Sequence, residues 1–123
     1  MFARSHTVTV TTDGSGNATA YTGGVVNGRL FEIRYVKTDF ANDLTITVTG
    51  ETTGIALWTE TSVNASATRC PRQATYTVIG IAAVYTDDGK PVLDYLVLAD
   101  ERIKIVIASG GVTKTGTFYF VLG

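Results

Sequence analysis

His6 and Cys70 are the single histidine and the single cysteine of this 123-residue chain, and together they are its one pairing of a base with a strong nucleophile. A thiol activated by an imidazole needs the two side chains within hydrogen-bond reach, with a third group to orient the base. His6 stands at the start of the first strand-like segment, and Cys70 precedes Pro71 in an irregular stretch. In such places a histidine is ordinarily solvated or at an interface, and a lone cysteine is a partly buried apolar residue. The expectation is therefore no catalytic residue. One cysteine also excludes an internal disulfide and a cysteine-cluster metal site.

Other polar groupings read as turns. Asp13-Gly14-Ser15-Gly16-Asn17 has the look of a calcium loop, but the acidic ligand required at its twelfth position is replaced by Gly24. Asp87-Asp88 would need a third carboxylate supplied by folding to hold a cation. Gly89-Lys90 lacks the upstream glycine of a phosphate-binding loop. Neither a cofactor nor a metal is expected. Asn17-Ala18-Thr19 and Asn64-Ala65-Ser66 match the N-glycosylation triplet, which has meaning only in a secreted chain. Trp58 with Tyr21, Tyr35 or Tyr76 would make a sugar-stacking platform if exposed in a row, whereas a single Trp in a β-domain is ordinarily core.

Composition narrows the setting. The chain is 45% hydrophobic and only 17% charged, against about 25% charged in an average soluble protein. Either a partner covers part of the surface or threonine fills the outward positions. Ten basic and eleven acidic residues are dispersed, for a net charge of −1. No basic run supports nucleic-acid binding, and the apolar runs are too short to span a bilayer as helices. Met1–His6 lacks the apolar stretch of a signal peptide, so synthesis in the cytoplasm without a cleaved export signal is expected.

The elements that must carry these residues are strands, because the apolar period is two throughout. Val8 and Val10 alternate with threonines, and Ala18–Thr22 reads as the returning strand of a hairpin. Phe31, Ile33 and Tyr35 share a face. Leu44, Ile46 and Val48 alternate with Thr45, Thr47 and Thr49 and lead through Gly50–Gly54 into the Trp58 segment. Thr61–Gln73 reads as irregular, Ala74–Ile79 and Ile81–Tyr85 as strands broken at Gly80, and Asp87–Pro91 as a turn. Val92–Ala99 and Arg102–Ala108 read as two strands in preference to one helix over 94–104. Ser109-Gly110-Gly111 opens a last hairpin into Thr117–Leu122. Turn signals every ten residues or so then predict one all-β domain over 1–123, an antiparallel β-sandwich or squat β-barrel of jelly-roll or Ig-like type with eight to ten strands. Ile33, Leu44, Ile46, Val48, Ile103, Ile105, Phe118 and Phe120 are expected in its core.

The run Val8-Thr9-Val10-Thr11-Thr12-Asp13-Gly14-Ser15-Gly16-Asn17-Ala18-Thr19 resembles the opening of small virion proteins of tailed bacteriophages. The resemblance continues through Gly28-Arg29-Leu30, Leu57-Trp58-Thr59-Glu60, Val63–Arg69 with Pro71-Arg72, Leu98–Lys104, and Gly110-Gly111 before Gly116-Thr117-Phe118. It covers nearly the whole chain, on turns and strands that identify no reactive site. It implies a non-enzymatic structural role in the virion, with the capsid exterior favoured: a decoration (cement) or minor capsid protein that binds the major capsid protein or other virion subunits. A homo-oligomer is implied, a trimer above all. A tail or connector component, or a carbohydrate-binding β-sandwich, is the alternative. The arm 1–6 and its strand offer the interface expected on this reading, through Phe2, Arg4, His6, Val8 and Val10, since aromatic and arginine residues favour interfaces and an end strand can add to a neighbouring sheet.

Overall fold

The computed structural model describes residues 3–84 and 89–123, all of them strand, turn or loop. Ten strands follow in order: β1 (Arg4–Thr11), β2 (Ala18–Tyr21), β3 (Val26–Lys37), β4 (Leu44–Gly50), β5 (Ala56–Val63), β6 (Ala67–Arg69), β7 (Arg72–Ala74), β8 (Leu93–Glu101), β9 (Ile103–Ala108) and β10 (Thr115–Leu122). They form two antiparallel sheets packed face to face, a β-sandwich. The first sheet runs β1-β10-β3-β8-β7, with β6 also paired to β3; the second runs β2-β9-β4-β5.

Period two places the core. Val8 and Val10, Leu44, Ile46 and Val48, Ile103, Ile105 and Ile107, and Phe118, Phe120 and Leu122 all turn inward, as do Leu96 and Leu98 of β8. All eight residues expected in the core are buried. Phe40, Tyr35 and Phe118 stack there in series, with centroids 6.1 and 5.1 Å apart.

Of the three expected hairpins, only β4–β5 exists. β1 does not pair with β2: it lies against β10, while β2 lies against β9 in the opposite sheet. β9 and β10 likewise belong to different sheets. Both segments read as hairpin loops are crossings between sheets, and they are fastened to each other. The Gly110 N–H donates to Gly16 O at 2.9 Å, the Thr113 N–H to Asp13 O, and the Lys114 N–H to the Thr12 hydroxyl at 2.8 Å. Gly16 has φ of 80°, and a Cβ there would meet Gly111 N at 3.2 Å, so both torsion and contact call for glycine.

Phe31 departs from its expected face. The register between β10 and β3 slips between Val121 and Leu122, leaving Phe31 as an extra residue between Leu30 and Glu32. A bulge of this kind reverses the phase of one side chain, so Leu30 is buried and Phe31 points outward. Thr61–Gln73, read as irregular, contains the end of β5, the short β6 and the first two residues of β7. Of the segments read as strands over 74–79 and 81–85, Ala74 ends β7, residues 75–84 leave the sandwich, and Tyr85 lies outside the described residues.

Glu101, only 4% exposed, closes the corner between β8 and β9. Its carboxylate accepts the Thr52 and Thr53 N–H groups at 3.1 Å each and the Thr53 hydroxyl, tying the β4–β5 turn to the opposite sheet. A Cβ on Gly50 would stand 2.4 Å from Glu101 Oε1, so glycine at 50 makes room for the carboxylate.

Candidate interaction surface

His6 and Cys70 do not meet. His6 pairs with Phe120, Phe120 with Ile33, and Ile33 with Arg69, the neighbour of Cys70. Three strand spacings of about 4.8 Å separate them, well beyond proton-transfer reach. Cys70 is exposed rather than partly buried, since it sits at the turn between β6 and β7. Asp13 is engaged in its own turn: its Oδ1 accepts the Ser15 and Asn17 N–H groups at 2.8 and 3.0 Å, and these bonds hold its carboxyl below the usual range. Among the described residues no group of three histidine, cysteine or acidic side chains is placed to hold a metal. Asp87 and Asp88 lie outside the described residues.

β1 is an edge strand, as an added-strand contact requires, but Val8 and Val10 are buried in the chain's own core, 7% and 2% exposed. What β1 offers a neighbour is its backbone edge and the outward Thr7 and Thr9. Arg4 and His6 continue the inward face beyond the core and line a cleft of about 250 Å³ with Val25–Asn27, Leu122 and Gly123. No acidic side chain or thiol is among the described residues that line it. Phe2 lies outside the described residues.

Trp58 is 7% exposed, and its ring packs edge-on to Phe118 at 6.4 Å. Its indole N–H donates to Glu60 Oε1, and the Arg69 guanidinium closes the set with 2.9 Å bonds to both carboxylate oxygens. The Arg69 bonds, then the indole bond, hold Glu60 below the normal carboxylate range. Trp58 therefore belongs to the core, not to a sugar platform.

The surface that sequence reasoning passed over lies on the far flank of the first sheet. Alternation on β8 sends Leu96 and Leu98 inward, but its outward positions are Leu93, Tyr95 and Val97, apolar as well. Phe31, turned out by its bulge, meets Tyr95 edge-on at 5.2 Å. Arg72 on β7 lies 4.2 Å over the Tyr95 ring and Arg29 on β3 lies 5.4 Å from it, two cations on one aromatic. Arg72 Nη1 donates to Phe31 O and Pro71 O, which fixes it in place.

From this patch the chain projects as an arm, 74–84. The Thr75 N–H donates to Val92 O, the Val92 N–H to Ala83 O and the Ala83 N–H to Thr75 O, so three segments are fastened at the root. Beyond it, the Thr77 N–H donates to Ile81 O at 2.7 Å and closes a turn over Val78-Ile79-Gly80. Val78 is 104% and Ile79 77% exposed. Ten large apolar residues are strongly exposed among the described residues, and seven of them lie between Tyr76 and Val97. That concentration exceeds the ordinary scatter of surface apolar groups. The signal was present in the sequence: 73–86 carries no charged residue, and β8 is apolar on both parities.

Comparison with known proteins adds no relative: no protein-family model, no curated protein and no solved structure matches this chain.

Proposed function

We propose that this chain is a structural subunit of a tailed-phage virion, a capsid decoration protein that works by binding other protein subunits rather than by catalysis. The observation that carries the reading is the apolar arm 74–84 standing beside Leu93, Val97 and the Arg72–Tyr95–Phe31 cluster. Exposed aliphatics flanked by aromatic and arginine side chains have the composition of a protein–protein interface. The resemblance of the turns and strands to small phage virion proteins supplies the particle; the arm supplies the means of attachment. A sandwich whose two crossing loops are zipped together, and whose hairpin is clamped by Glu101, suits a subunit that must stay rigid while its arm engages a lattice.

The test is attachment. Heads assembled without this chain should take up the purified protein in co-sedimentation and then melt at a higher temperature. Replacing 76–82 with a short Asn-Gly turn should abolish both effects and leave the far-UV spectrum unchanged. Heads that neither bind the intact chain nor melt differently in its presence remove the decoration reading.

A further inference from the structure

We propose that the arm is received by a second copy of this chain, packing arm against arm and over the outward residues of β8. The inference rests on the reading of the arm 74–84 with Leu93 and Val97 as a docking surface and names the occupant. Three observations carry it. The first is area. With each exposure weighted by residue size, Tyr76, Val78, Ile79, Ile81, Val84, Leu93 and Val97 offer on the order of 800 Å², about what one partner gives to a stable interface. The largest apolar patch on a typical soluble monomer is about 300–600 Å².

The second is charge. Residues 73–86 contain no Asp, Glu, Lys, Arg or His. Where 73–86 of one copy meets 73–86 of another, no like charges come together, the usual obstacle to self-pairing. The third is backbone. The arm's hydrogen bonds run among Thr75, Thr77, Ile81 and Ala83 and to Val92 at its root. Two isolated antiparallel bridges, Tyr76–Ala82 and Val84–Pro91, give it the extended backbone that can pair with an identical segment. A symmetric contact of this type is self-complementary, since each copy presents the same patch.

The experiment is sedimentation velocity on the full chain over a micromolar dilution series, for the wild type, for Val78→Asp with Ile79→Asp, and for Val112→Asp. Val112 is as exposed as the arm residues but lies in the loop between β9 and β10. The wild type should self-associate. The arm pair should weaken association by at least about 100-fold, through two buried unpaired carboxylates, and Val112→Asp should leave it unchanged. Because Val78 and Ile79 touch no core residue, all three should keep the wild-type melting curve when measured as monomers. A wild type that stays monomeric throughout, or an arm variant that associates as the wild type does, overturns the proposal. Head attachment is scored separately. A monomeric wild type whose head binding is lost in the arm variant would sink the second-copy proposal and leave the docking reading standing. An oligomer broken by the arm variant with head binding intact would do the reverse for the arm's role on the capsid.

Discussion

The sandwich and the arm use the same alternating residues to opposite ends. In β4, Leu44, Ile46 and Val48 alternate with threonine and are buried. In the arm, Tyr76 and Val78 alternate with Thr75 and Thr77 in the same way and are exposed. The difference lies in what stands opposite. β4 is flanked by β9 and β5 and faces a second sheet, whereas the arm's hydrogen bonds close on itself and no sheet covers it. Alternation specifies a two-faced ribbon; only the neighbours decide whether its apolar face is a core or an interface.

The strongest break between the two regions should come from matched truncations. Ile46→Ala should cost about 2–5 kcal/mol in chemical denaturation, because it opens a cavity between the sheets. Ile79→Ala, at an exposed tip, should change the monomer's stability by less than about 0.5 kcal/mol. Equal losses at the two sites would show that the arm packs on its own domain.

Next in size is the clamp. Glu101→Ala leaves the Thr52 and Thr53 N–H groups without their acceptor and should cost about 1–3 kcal/mol. Amide exchange should speed up at Thr52 and Thr53 and stay unchanged at Thr75 and Thr77, keeping the effect on the sandwich side.

A smaller change of opposite sign should come from Tyr35, whose hydroxyl is buried with no hydrogen-bond partner in the described structure. Burial pushes its pKa up to about 12. A phenol whose folded pKa lies above its unfolded value near 10 contributes its full share of stability below pH 10 and loses it as pH rises toward 12. Tyr35→Phe should therefore stabilise by about 1 kcal/mol at neutral pH and move the alkaline unfolding midpoint upward. A destabilised variant would show that the hydroxyl is bonded after all.

Smallest is the Glu60–Arg69 pair, which is partly open to solvent. Its lowered carboxyl pKa makes the contribution present at and above pH 5 and lost as pH falls through the folded value. Glu60→Gln should flatten that part of the acid melting profile by less than about 1 kcal/mol, without affecting the arm.

The strands of the core were legible because each has water or threonine on one side and the opposite sheet on the other. Pairing was not. In a sandwich, β1 and β2 would alternate identically as hairpin partners or in facing sheets, and nothing local in Thr12–Asn17 distinguishes a hairpin turn from a crossing. Phe31 was placed on the wrong face because a bulge is a property of two strands in register, and the partner at Val121–Leu122 lies far along the chain. Of the residues expected to make an interface at the first strand, Val8 and Val10 are buried in the core, because alternation alone does not say which face a neighbouring sheet covers. The arm was hidden by its likeness to a strand, although its lack of charge was in plain view.

The place of β10 has a consequence in time. It lies between β1 and β3, and the Lys114 N–H just before it bonds to the Thr12 hydroxyl 102 residues away. β1 has no other neighbour in its sheet, so on the ribosome it waits until β10 has emerged. At about 5–20 residues per second, that wait is on the order of 5–20 s. Through it β1 and one edge of β3 are without their mate, and the uncharged arm emerges before that mate does. Chains on neighbouring ribosomes therefore meet with apolar segments exposed before any of them has closed, and the rate of translation between β1 and β10 sets how long that exposure lasts.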